Sequence, residues 1–152
     1  MNSKDVKKVK ISNLQLEWDR IKKFEYQIDD EIIGKKLTPK LKLEVQHNFL
    51  EKTNDKPYRA TLLLKYDVRF KEGKKIYLKM NIDLEGSFIG NPKLDDTEFK
   101  KLVIHYGILN LIQITRAKVT AISANFGFIQ PIYLPMIDAT DLVNKKMKEV
   151  LG

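Results

Sequence analysis

The sequence predicts an α+β protein: a four-stranded antiparallel sheet with a long and a short helix packed on one face. Three observations predict it. Stretches of alternating apolar and polar residues fill the first half, a long apolar-rich helical stretch follows from Phe99, and a short amphipathic helix comes last. Strands followed by helices, with no βαβ alternation, is the order of an antiparallel sheet covered on one side.

The clearest strands are the third and fourth. From Tyr58 to Phe70 the even positions are Tyr58, Ala60, Leu62, Leu64, Tyr66, Val68 and Phe70, with mostly polar residues between. After Lys71-Glu72-Gly73-Lys74 the alternation resumes with Ile76, Leu78, Met80, Ile82 and Leu84. This period of two marks strands with one dry and one wet face, and the short glycine-containing gap marks a hairpin. Upstream, Leu41, Leu43, Val45, His47 and Phe49 alternate with polar residues, and Asn54-Asp55-Lys56-Pro57 supplies a turn. The first strand is less regular. Val9 and Ile11 hold odd positions and Leu14, Leu16 and Trp18 even ones, which a bulge near Ser12-Asn13 would reconcile.

Gly90-Asn91-Pro92 ends the sheet, and Asp95-Asp96-Thr97-Glu98 has the spacing of a capping box. From Phe99 to Ala124 the apolar positions wrap more than one helical face, so the helix needs a partner beyond its own sheet. Gly107 in its middle is a bend or close-packing point. The segment from Phe126 to Met136 holds two prolines, which exclude a helix, and is apolar for a connector. The last helix starts near Asp138-Ala139-Thr140-Asp141 and carries Leu142, Val143, Met147, Val150 and Leu151 on one side.

The 152 residues suit one domain, read as spanning 1–152, with one core. No apolar run reaches the roughly 20 residues of a membrane span, which predicts no membrane insertion. The polar start, Met1-Asn2-Ser3-Lys4-Asp5, is unlike a secretory signal, so the expected location is the cytoplasm. The absence of cysteine excludes disulfides and thiolate chemistry. The formal charge is +8, but its lysines come as pairs dispersed along the chain: Lys7-Lys8, Lys22-Lys23, Lys35-Lys36, Lys74-Lys75, Lys100-Lys101 and Lys145-Lys146. That dispersal argues against the clustered footprint of a nucleic-acid-binding module, which is kept as an alternative.

No residue set predicts catalysis, a metal site or a cofactor. His47 and His105 share no pattern with a nucleophile or further ligands, Asp95-Asp96 is explained by the helix cap, and Asp29-Asp30-Glu31 reads as a solvated loop cluster. What stands out is apolar surface in irregular segments. Trp18, Phe24, Tyr26 and Ile28, with Phe126, Phe128, Ile129, Ile132, Tyr133 and Met136, either close the core or line a groove for an extended apolar peptide. Aromatic and methionine side chains suit the second role because they offer large, adaptable contact area.

The run from Leu111 to Val143, LIQITRAKVTAISANFGFIQPIYLPMIDATDLV, resembles the C-terminal signature of the SecB family. Its elements are Arg116 on the long helix, Gly127, and an apolar segment ending in Leu134-Pro135 before Met136-Ile137-Asp138 opens the last helix. Asn13-Leu14-Gln15-Leu16-Glu17 and Glu85-Gly86-Ser87-Phe88 fall where the family has its first-strand motif and the end of its fourth strand. The resemblance implies an ATP-independent holdase that binds unfolded preproteins in apolar grooves and hands them to the translocase motor SecA. It implies a homotetramer, a dimer of dimers, with Tyr106, Leu109, Ile112 and Gln113 of the long helix at the interface. It places Glu17, Asn81 and Asp83 on the sheet face used for docking on the motor.

Family members are acidic, whereas this chain is basic, and Asn13 and Asn81 stand where further carboxylates are expected. Gln113 replaces a proline common in the long helix, and no polar tail of the family's kind is expected after Gly152. The same residues fit a SecB-like chaperone dedicated to one partner, such as an antitoxin.

Overall fold

The structure is a computed structural model that describes residues 7–127 and 130–152. Strands β1 (Leu14–Ile28), β2 (Thr38–Leu50), β3 (Arg59–Glu72) and β4 (Lys75–Gly90) form one antiparallel sheet in the order β1-β4-β3-β2. β2, β3 and β4 follow one another as neighbours, and β1 pairs with β4, a Greek-key arrangement. The crossover from β1 to β2 includes a 3-10 turn, Asp30–Ile32, which Asp29 caps by accepting from the Glu31 N–H at 2.8 Å. Gly73, at φ 60°, is the first central residue of the two-residue β3–β4 turn, where a type II′ turn requires a left-handed backbone.

β3 and β4 are as regular as their sequence: Ala60, Leu62, Leu64, Tyr66 and Val68 face the core from one, and Leu78, Met80, Ile82, Leu84 and Phe88 from the other. β1 differs from its reading. Val9 and Ile11 lie before it, each 86% exposed, and the bulges fall between Leu16 and Trp18 and between Ile21 and Lys23 rather than near Ser12-Asn13. Each bulge flips the parity of the residues that follow. Leu14 and Leu16 therefore lie opposite Gly90 and Phe88, Asp19 and Ile21 opposite Gly86 and Leu84, and Phe24, Tyr26 and Ile28 opposite Ile82, Met80 and Leu78. Residues opposite one another share a face, so all seven look toward the helices.

The long helix is α1 (Asp96–Leu102), a π-helical turn (Val103–Gly107) and α2 (Ile108–Ser123) run together. Asp95 caps it by accepting from the Glu98 N–H at 2.8 Å, a bond that also holds its carboxyl below the usual carboxylate range. Buried residues recur every fourth position: Phe99, Val103, Gly107, Leu111, Thr115, Val119 and Ser123. At about 100° per residue each such step overshoots a full turn by about 40°. A plain α-helix would wind this stripe off the sheet, and the wider π turn takes back part of the drift. The helix also comes close to the sheet. A Cβ at Gly107 would stand 3.1 Å from Leu62 Cδ1 and 3.2 Å from the Phe88 ring, so glycine sets the separation of the two layers here.

A linker leads to α3 (Thr140–Leu151), whose Leu142, Lys145, Lys146 and Glu149 lie against Leu43, Glu44 and Val45 of β2. Val143 is buried, and Leu142, Met147 and Val150 pack against the core. Burying a side chain such as Phe99 or Leu111 stabilises the fold by about 1.5–3 kcal/mol each.

Candidate functional site

β1 is an edge strand, and its second bulge turns Phe24 and Tyr26 toward the helix side near the end of α2. There Phe126, the first bulky residue of the linker, stacks on Tyr26 with ring centroids 4.1 Å apart and an interplanar angle of 21°. Phe24 lies 6.0 Å from Tyr26 in a tilted arrangement. Tyr26 remains 47% exposed, and Phe24 and Phe126 are half-buried. Three aromatic rings from two segments thus make a partly open wall along the free edge of β1. On the other, open face of the same strand edge, a depression of about 540 Å³ runs past Glu25, Gln27, Lys79 and Asn81.

Beyond Phe126 the linker returns along α2, held by side chains of that helix. The Arg116 guanidinium donates to the Leu134 carbonyl at 3.1 Å and to Gln113 Oε1 at 3.0 Å. The Thr120 hydroxyl donates to the Ile132 carbonyl at 3.1 Å, and the Ile132 N–H donates to Ser123 Oγ at 2.6 Å. The side chains of this anchored stretch divide between core and solvent. Ile132 and Leu134 point into the core, while Tyr133 and Met136 are 71% and 79% exposed. A shallow depression of about 260 Å³ lies between Gln113, Arg116, Ala117, Thr120, Tyr133 and Leu134.

The structure therefore divides the ten residues picked from the sequence as a peptide groove. Phe24, Tyr26 and Phe126 come together, and Tyr133 and Met136 are exposed on the linker. Ile132 is a core residue, and Ile28, like Phe24 and Phe126, is partly buried against the core. Phe128 and Ile129 lie outside the described residues. Trp18 belongs to the other side of the sheet: the first bulge sets it opposite Ser87, on the open face, with the Arg20 guanidinium 5.1 Å from its ring centre. Two neighbouring bulges thus send Trp18 and Phe24 to opposite faces.

On the long helix Tyr106, Leu109 and Gln113 are exposed, but Ile112 is buried in the core, because its four-residue spacing from Ile104 and Ile108 puts it on the sheet side. The rest of the outward side is polar or small, with Asn110, Ala117 and Ala121, so the helix is less apolar all round than its composition implies. On the open face Glu17 is engaged by Arg59, which donates to both of its oxygens at 2.8 and 3.1 Å. Asn81 and Asp83 lie further along β4, Asp83 opposite Lys65 and Lys23.

His47, on β2, faces α3. Its imidazole is held below its ordinary pKa first by burial and next by the Lys146 ammonium, with Glu149 opposing. Among the described residues no three or more His, Asp or Glu side chains converge as a metal site would require. No helix among them is long and apolar enough to cross a membrane.

No family model and no curated protein matches the sequence. Among solved structures the chain is similar to the SecB-like chaperone Rv1957 of Mycobacterium tuberculosis, in complex with a ChAD peptide from the HigA1 antitoxin. Identity is 12% and the TM-score 0.65, over 82% of this chain and 91% of that one. It is also similar to a protein of unknown function from Streptococcus agalactiae, at 12% identity and a TM-score of 0.49, over 81% and 97% of the two chains. The first likeness shows the fold, a SecB-like α+β arrangement of open sheet, long helix and short helix.

Proposed function

We propose that this chain is a SecB-like chaperone, not an enzyme, that holds an extended apolar segment of a client protein against the edge of β1 without ATP or any other cofactor. The observation that carries the reading is the aromatic wall of Phe24, Tyr26 and Phe126, left partly open where a self-sufficient core would close it. The exposed Tyr133 and Met136 extend the apolar surface along the linker. Several shallow apolar contacts of this kind give affinity with little sequence selectivity. The fold shared with a chaperone supports the same reading.

Two forms of the activity compete. The dedicated form, one protein client such as an antitoxin, is favoured because the SecB-like neighbour is seen with an antitoxin peptide and because Glu17 of the open face is already engaged by Arg59. The general form, a cytoplasmic holdase that passes preproteins to SecA, is the second reading. Tyr106, Leu109 and Gln113 form the outward patch through which a homotetramer of this single 1–152 domain would assemble.

Light scattering of a reduced, unfolded test protein separates these. Either form predicts binding of an apolar, aromatic-rich peptide by the wild type, weakened about tenfold in Tyr26→Ser/Phe126→Ser with the fold retained. The general form adds suppression of aggregation at near-stoichiometric ratio without ATP, whereas the dedicated form leaves aggregation unchanged and instead retains one small protein in pull-down. Equal peptide binding by wild type and double variant would remove the proposal.

A further inference from the structure

The open face of the sheet is a grid of charges whose rows follow from strand register. One row reads Glu44, Lys65, Asp83, Lys23 and the next Lys42, Asp67, Asn81, Glu25. Signs largely alternate, so these rows neutralise themselves. The row nearer the β3–β4 turn does not: Lys40 lies opposite Arg69, Arg69 opposite Lys79, and Lys79 opposite Gln27. Like charges directly across a sheet destabilise it, so three in a line serve no folding purpose. Only Arg69 has a carboxylate close by, Asp67 at 3.2 Å; Lys40 and Lys79 have none within 4 Å among the described residues.

Topology brings two of the dispersed lysine pairs to the same end. The Lys36 N–H donates to Glu72 at 2.9 Å, and the Lys35 and Lys75 ammonium groups stand 5.5 and 4.9 Å from the centre of the Tyr77 ring. Lys75 is shared with Glu31 at 3.4 Å and Asp29 at 3.6 Å, while Lys74 has no carboxylate within 4 Å among the described residues. The spread of lysines along the sequence is thus undone at this end of the fold.

We propose that the Lys40, Arg69 and Lys79 row is a docking site for an acidic protein segment that presents two or three Asp or Glu side chains. The row crosses three strands and so covers about 10 Å, the reach of a few carboxylates on a short peptide. Nucleic acid fits it less well. Asp67 and Glu25 in the adjoining row would oppose a phosphate backbone leaving the site, and Tyr77, buried beneath its lysines, offers no face for base stacking. The site lies on the opposite face from the Phe24, Tyr26 and Phe126 wall and does not depend on what binds there.

The test measures fluorescence anisotropy of a labelled decapeptide of alternating glutamate and serine, its lysine counterpart and a 20-nucleotide single strand. They are titrated with the full chain and with Lys40→Glu/Lys79→Glu. The site predicts that the acidic peptide alone binds well, about tenfold more weakly to the reversal variant, and more weakly in 0.5 M than in 0.05 M salt. Lys40→Gln/Lys79→Gln, milder for folding, should give a loss of several-fold. Binding of an apolar peptide at the aromatic wall should stay unchanged in both. No binding of the acidic peptide, or equal affinity in wild type and both variants, would overturn the assignment. So would tighter binding of the oligonucleotide that falls in the same variants.

Discussion

β1 and β2 are the two edges of one sheet, and they solve the exposed-edge problem in opposite ways. β2 runs 13 residues without a register shift, and α3 and Phe99 close its inner side: Val45 is buried, and Phe49 meets the Phe99 ring edge-on at 6.2 Å. β1 runs 15 residues with two bulges, and near its end Phe126 stacks on a Tyr26 that stays 47% exposed. Bulges protect an edge from pairing with another strand, and here they also re-aim side chains. The inner side of β2 lies under α3 and Phe99, whereas that of β1 ends in a partly open aromatic surface. On the proposed reading, client binding falls to the β1 edge and not to the β2 edge.

That contrast can be broken most severely on the closed side. Phe99→Ala removes a fully buried ring that touches both Tyr58 and Phe49, and should cost about 3–5 kcal/mol in urea unfolding. A loss below about 1 kcal/mol would mean that β2 is not closed by this helix.

On the open side the effects on stability should be smaller. A double-mutant cycle of Tyr26→Ala and Phe126→Ala should give a coupling of about 0.5–1.5 kcal/mol in stability, the worth of one aromatic stack. Zero coupling would place the linker elsewhere in solution.

The smallest effect sharpens the closed edge. Because the folded chain holds His47 below its ordinary value of 6.5, the unfolded chain binds the proton more readily. Stability should be full above about pH 6.5, fall as pH drops through that value toward the lower folded one, and then level off. The urea midpoint should therefore drop between pH 7.5 and 5.5 by up to about 0.5 M more in wild type than in His47→Gln. Identical drops would show that the α3–β2 contact is indifferent to this imidazole.

Much of the fold could be read from residue pattern because β3 and β4 are central strands with strict alternation, and the helix cap at Asp95 and the turn at Gly73 carry their own chemistry. β1 resisted because its bulges fall beside Glu17 and Lys22, charged residues that say nothing about parity, and Trp18 then passes for a core residue. The site was half legible. Phe24, Tyr26 and Phe126 stand out by type, but their meeting depends on a bulge and on the return of the linker after α2. The basic row was not legible, since Lys40, Arg69 and Lys79 are far apart in sequence and meet only through register.

The π turn has a consequence for descent. A helix that carries one residue more than its α-helical course requires can lose that residue there and keep both flanking faces where they are. His105 and Tyr106, the exposed members of the turn, are the positions where a chain sharing this ancestry could be one residue shorter without moving Phe99 or Leu111 from the core. Length variation elsewhere between Asp96 and Ser123 would rotate one half of the helix against the other, so lineages should differ in length at this turn and not around it.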